Sequence, residues 1–241
     1  MKNFDTDFYF FLDKIKHKDN FSLSRWGDGE LKIINGEKID IRSKGNGEFR
    51  YDPLISDYNI VRDKLLESFT KKDDGYYVGI ACRCCVGDDK HLKMKKMSNQ
   101  NESNLTWANI FVNSNYKKTI NELIPELKNR IVNLVVNKNS ILGDLTFNVK
   151  NVWYVGIDAW YADYNIFYEI KNYVETNNIK DEVFLFAAGP LANILVYELW
   201  FNISKNNTYI DIGSILDGYL KLKLTRGYQL GASTLNKTCI W

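Results

Sequence analysis

Proline and histidine are both rare: three prolines and two histidines occur in 241 residues. No proline-rich or low-complexity linker divides the chain, and a length of this order suits one sizeable domain. His17 and His91 stand beside no serine or cysteine pattern that would pair a nucleophile with a base, so a hydrolase triad is not expected. Cysteine is sparse too. Of Cys82, Cys84, Cys85 and Cys239, the first three crowd one short segment and cannot all reach distant partners, which argues against a disulfide framework. No apolar run is long enough to span a bilayer. The opening MKNFDTDFYFFLDK carries acids where a signal peptide carries a basic end and a longer apolar stretch, so a cytoplasmic location is expected. Charge of one sign is also missing. Thirty-two basic and thirty acidic side chains leave +2, too little to grip nucleic acid, so any phosphate recognition has to be local.

What is present is an ordinary globular composition, 45% hydrophobic and 26% charged, with a bias towards Asn and Lys that lowers the weight of any single residue of either type. Phe4, Phe8, Phe11, Leu12 and Ile15 recur at helical spacing and predict an amphipathic helix ending before Asp19. Further helices are predicted over Ser56–Phe69, Tyr116–Leu127, Tyr161–Val174 and Leu191–Phe201, with another beginning near Ile215. Strands are predicted at Phe21–Trp26, Tyr76–Ala81, Trp107–Val112, Ile131–Val136, Val152–Ile157, Val183–Ala188 and Tyr209–Ile212. Alternating strands and helices imply an α/β fold, a mostly parallel sheet with helices on both faces in a single domain. The layout reads as an N-terminal helix (1–20), a core (21–220) and a C-terminal extension (221–241). Ligands of such sheets lie beyond the carboxyl ends of the strands. That rule singles out Gly27–Glu30, the stretch after Ala81, Asp158–Ala159, Gly189–Pro190 and Gly213–Ser214.

The strongest local signal is Arg25-Trp26-Gly27-Asp28-Gly29-Glu30. Two carboxylates two residues apart form an Asp-x-Glu pattern suited to a hard cation such as Mg²⁺ or Mn²⁺, which takes one or two carboxylates and fills its remaining positions with water and phosphate oxygens. Gly27 and Gly29 let the backbone approach a diphosphate, and the forked donors of Arg25 suit its oxygens. The same Asp-Gly also fits a two-residue hairpin turn.

The segment FSLSRWGDGELKIINGE resembles the opening motif of the GT-D glycosyltransferases, and VFLFAAGPLANILVYELW followed by TYIDIGSILD is similar to that family's C-terminal half. The likeness runs from Phe21 to about Asp217. It implies a Rossmann-like fold, a UDP-sugar donor and a Mn²⁺ or Mg²⁺ ion held by Asp28 and Glu30. Cys82-Arg83-Cys84-Cys85 matches nothing in the family.

Gly189-Pro190 places proline in the first turn of a helix, whose N–H groups could face phosphate or simply serve a strand-to-helix connection. Asp211 could hold ribose hydroxyls, orient Arg25 or act as a base; it ranks with Ser214 ahead of Asp217, although both serine and aspartate also suit a helix start. Gly213 lies between them. Asp158 is a second candidate base, with Trp153, Tyr154, Trp160 and Tyr161 around it as core or sugar-stacking aromatics.

Cys82, Cys84 and Cys85 read as buried cysteines ending a core strand, because a structural zinc site wants four ligands in separated pairs. Arg83 reads as solvated or as facing the donor phosphates or an acidic acceptor, and the run from Lys90 to Lys96 as a mobile basic loop or a lid over the acceptor. The expected function is transfer of a hexose from a UDP-sugar to a hydroxyl of a glycan or glycoprotein, with no nucleic-acid partner and no membrane span. The rivals are a Rossmann-like methyltransferase or dehydrogenase, disfavoured because no G-x-G-x-x-G follows an early strand, and a non-catalytic nucleotide-binding module.

Overall fold

The structure, a computed structural model, describes residues 1–43 and 49–231. Its strands in chain order are β1 (Ser22–Trp26), β2 (Ile39–Asp40), β3 (Arg50–Tyr51), β4 (Tyr76–Ile80), β5 (Leu105–Trp107), β6 (Val132–Asn137), β7 (Val149–Val155), β8 (Val183–Phe186) and β9 (Thr208–Asp211). The helices are α1 (Phe4–His17), α2 (Asp28–Ile34), α3 (Ser56–Thr70), α4 (Arg83–Val86), α5 (Asp88–Ser98), α6 (Tyr116–Lys118), α7 (Ile124–Glu126), α8 (Ala159–Ala162), α9 (Ile166–Thr176) and α10 (Pro190–Asn202). β2 and β3 pair antiparallel by themselves; the other seven strands form one sheet in the order β5-β4-β1-β9-β8-β6-β7. Every pairing in that sheet is parallel, as the alternation of elements implies.

Because successive strand residues point to opposite faces, the sheet divides the interior into two apolar cores. Val78, Ile80, Phe184, Phe186 and Tyr209 face one side, packed with α3, α9 and α10. Leu23, Leu185, Ile210, Leu134 and Val136 face the other, packed with α1 and the helical turns between Tyr116 and Leu127. α1 is well defined at both ends: the Asn3 side chain accepts from the Thr6 N–H at 2.8 Å, Asp5 and Asp7 occupy its first turn, and Lys14, Lys16 and His17 its last. α10 is buried from Pro190 to Trp200 and apolar there except for Asn193, Tyr197 and Glu198, which is how a helix covered on every side reads. Asn193 in its first turns donates to Ser24 Oγ at 2.9 Å and to the Arg25 carbonyl at 2.8 Å, tying it to β1.

Several elements differ from expectation. The strand near Trp107 ends there; Ile110 and Val112 lie in tight turns closed by hydrogen bonds to the Trp107 and Asn109 carbonyls, with Asn113 in the left-handed region. The helix expected over Tyr161–Val174 is two helices, broken where Asp163 accepts from the Gly156 N–H at 2.7 Å. Near Ile215 there is a single 3-10 turn, Gly213–Leu216. The basic run is no loop: Lys90–Lys96 falls within α5, held by buried His91 and Met94. Asp28-Gly29 opens α2 and is not a hairpin turn.

Candidate functional site

Strand order decides where the two ends of the sequence meet. From β1 the chain builds outward to β4 and β5, crosses to β6 and β7, and returns through β8 to β9, which pairs with β1. The order therefore reverses between β1 and β9, and their carboxyl ends flank the crevice where an open parallel sheet receives its ligand. A cavity of about 670 Å³ opens there, lined by Arg25, Gly27, Asp28, Gly29 and Glu30 from the β1 end and by Asp211, Gly213 and Ser214 from the β9 end. Gly189 and Pro190, at the start of α10, complete the same wall. Of the residues read from sequence as candidates to bind metal or phosphate or to act as a base, only Asp158 and Arg83 lie off this lining.

Glu30, in the first turn of α2, curls back so that its Oε2 accepts from the Gly27 N–H at 3.0 Å. Burial, and then the negative charges of Asp211 and Asp28, push its carboxyl up to about 7. Asp28 is exposed at the cavity edge. The carboxylate that presses harder on Glu30 is thus Asp211 from the far end of the sequence, a neighbour that spacing alone does not reveal.

Asp211 is buried, with its Oδ1 accepting from the Gly213 N–H at 3.0 Å and lying 3.6 Å from Arg25 Nη2. Burial raises its pKa while the Arg25 guanidinium opposes the rise. Arg25 also donates through Nη1 to the Ala108 carbonyl at 3.2 Å, whereas its buried Nε meets no acceptor among the described residues. Gly213 makes this arrangement possible: its φ is +55°, and a Cβ there would collide with the guanidinium. Ser214 Oγ shares a 2.6 Å hydrogen bond with the Tyr228 hydroxyl, which draws the segment after Leu222 over the cavity.

Asp158 takes another part. Its Oδ1 accepts from the Arg50 N–H at 2.7 Å and its Oδ2 lies 3.3 Å from Arg50 Nε, while Trp160 Nε1 donates to the Arg50 carbonyl at 3.1 Å. These bonds pin β3, whose neighbour Phe49 covers Gly29 and Gly189; a Cβ on Gly29 would come within 2.8 Å of the Phe49 ring. Of the aromatic cluster around Asp158, Trp160 alone reaches the cavity. Arg83 pairs with Asp88 at 3.6 Å, away from the lining. Of the three clustered cysteines only Cys82 is buried, and Cys239 lies outside the described residues.

No protein-family model matches the chain, and no curated protein does. Solved structures do match. One, of the highly conserved domain of unknown function 1792, is described as a distinct glycosyltransferase fold; it is 20% identical with a TM-score of 0.57, covering 94% of this chain and 81% of its own. A selenomethionine-substituted structure of that domain matches at 20% identity, TM-score 0.58 and the same coverage. A third, described as a new glycosyltransferase from Streptococcus sanguinis, matches at 20% identity and TM-score 0.58 over 94% of this chain and 84% of its own. The chain has their glycosyltransferase fold. The α/β architecture and the Rossmann-like sheet expected from the sequence are therefore met, and the site at the β1 and β9 ends belongs to a glycosyltransferase-fold scaffold.

Phe49, Arg226 and Tyr228 also line the cavity and were not singled out from sequence. Phe49 is brought in by the hairpin, which has no pattern long enough to read. Tyr228 could have been sought through its aromatic character in an otherwise polar tail, but nothing local shows that the tail folds back onto Ser214.

Proposed function

We propose that this chain is a metal-dependent glycosyltransferase, moving a hexose from a nucleoside-diphosphate sugar to a hydroxyl of a glycan or glycoprotein. The observation that carries the reading is the convergence of Asp28, Glu30, Asp211 and Arg25 in one cavity at the switch point of a glycosyltransferase fold. The volume falls within the roughly 300–1,000 Å³ of small-molecule sites. The resemblance of FSLSRWGDGELKIINGE to the GT-D opening motif favours UDP as the nucleotide.

A hard divalent cation suits the residues present. Glu30 is driven towards its protonated form by burial and by two neighbouring carboxylates, and a bound cation would relieve that repulsion. Asp28 and Glu30 would hold it, and Mn²⁺ or Mg²⁺ bound there would stabilise the charge that develops on a departing diphosphate. The remaining roles fall to the chain itself. Arg25 presents a fixed positive charge to the diphosphate, and Asp211 serves as a positioning residue that holds the guanidinium. The first turn of α10 at Gly189-Pro190 offers N–H groups to phosphate oxygens. Phe49 and Trp160 shield the bound sugar from water on the hairpin side.

A thermal-shift panel of nucleotide sugars with and without Mn²⁺ tests this, since a ligand that binds only the folded state raises its apparent stability. A UDP-sugar should stabilise the protein only when the ion is present, and Asp28→Ala or Glu30→Ala should remove both that shift and release of UDP while leaving the fold intact. Full turnover by the double variant, or nucleotide binding indifferent to metal, would reject the assignment.

A further inference from the structure

β4 ends at Ile80, and the next residues turn sharply into α4. The turn gathers three thiols that the proposed transfer reaction does not use. Cys82 Sγ lies 3.0 Å from Cys84 Sγ and 3.2 Å from Cys85 Sγ, and all three sulfurs fall within 4.8 Å of one another. Among the described residues this is the one group of three or more potential metal ligands that meets so closely. Thiols have little reason to assemble this way for their own sake. An S–H is a weak donor, and with Cys84 and Cys85 exposed the cluster gains little from burial.

We propose that Cys82, Cys84 and Cys85 form a binding site for a soft closed-shell cation, zinc(II) or copper(I). A Zn–S bond of about 2.3 Å in tetrahedral geometry sets sulfurs about 3.8 Å apart, so the sulfur contacts at Cys82 open by less than about 1 Å to admit the ion. The two exposed side chains supply that movement. Cys82 is the fixed point: it is buried, and Asn109 Nδ2 donates to its sulfur at 3.4 Å, a bond that orients it. Each thiol that becomes a ligand releases its proton to solvent. A closed structural zinc site needs four protein ligands, but an open site needs only three, with water or a bound ligand in the fourth position. Here the site borders the cavity, whose lining includes both Cys82 and Cys85 and from which such a ligand could enter. Sulfur donors select soft ions, whereas the oxygens of Asp28 and Glu30 select hard ones, so the two sites choose different metals. The thiol site does not rest on the glycosyltransferase reading.

The test uses the reduced, metal-stripped full chain carrying Cys239→Ser, titrated with Co²⁺ under anaerobic conditions. A near-ultraviolet thiolate-to-cobalt band should grow to one ion per chain with the intensity of three thiolates, and Zn²⁺ should displace the cobalt and bleach it. Cys84→Ser and Cys85→Ser alter exposed residues and should keep the native circular dichroism spectrum, so they carry the argument even if Cys82→Ser fails to fold. Each should lose about one third of the band and weaken zinc binding by at least about tenfold. The Asp28→Ala/Glu30→Ala variant should keep the band in full, which separates this site from the proposed hard-ion site. A parallel arm uses Cu⁺ against a competing chelator; three-thiolate binding of Cu⁺ alone would identify copper(I) as the ion. The proposal is overturned if neither arm shows binding by more than one thiolate, or if both exposed-cysteine variants bind like the parent.

Discussion

At the scale of single residues, Glu30 sets stability against binding. Its carboxyl is raised from an ordinary 4.5 to about 7, so between those values the folded protein holds more protons than the unfolded chain. Stability then falls as pH rises through that window, by on the order of 3 kcal/mol at most. With chelator present, the urea midpoint should be higher at pH 5 than at pH 8, and Glu30→Gln should flatten the difference; an unchanged pH dependence in that variant would assign it to other groups. The parent should also regain stability at pH 8 on addition of Mn²⁺, and the Gln variant should not. What the sequence showed of this residue was its partner two positions away. Its larger electrostatic neighbour, Asp211, was visible only as a strand-ending aspartate, because the contact depends on which strands lie side by side.

At the scale of elements, legibility followed the length and regularity of the apolar pattern. α1 and β6 were readable because their buried residues repeat over several turns or form a nearly unbroken run rich in β-branched side chains. The hairpin was not, since β2 and β3 contribute two residues each and owe their place to contacts with Asp158 and Trp160. α5 was missed for the opposite reason: its surface is so rich in lysine that His91 and Met94, which anchor it, do not stand out. The hairpin makes a prediction at this scale. Asp158→Ala should leave the sheet intact, with a loss of about 1–3 kcal/mol for the severed hydrogen bonds, but should expose β2 and β3 to limited proteolysis. Donor KM should rise more than kcat falls, because the loosened wall is the one carrying Phe49. A fall in kcat with KM and proteolysis unchanged would make Asp158 a catalytic group after all.

At the scale of the molecule, the fold class was legible and the strand order was not. Apolar runs separated by helices imply a parallel sheet, yet nothing in a single strand says that β9 pairs with β1 and not with β7. That pairing is long-range, and it creates the site. A chain ending before Thr208 would leave β1 and β8 with unsatisfied edges. It should show no cooperative urea transition and no stabilisation by any nucleotide sugar; a sharp transition in that fragment would mean the first eight strands fold unaided. Insertion of the last strand between two already made has a further effect during synthesis. A polypeptide emerging from the ribosome carries Asp28 and Glu30 early but has no pocket in which to use them until residues beyond 211 have cleared the exit tunnel. Until they have, substrate cannot help the chain fold, and the waiting edges of β1 and β8 are open to chaperones.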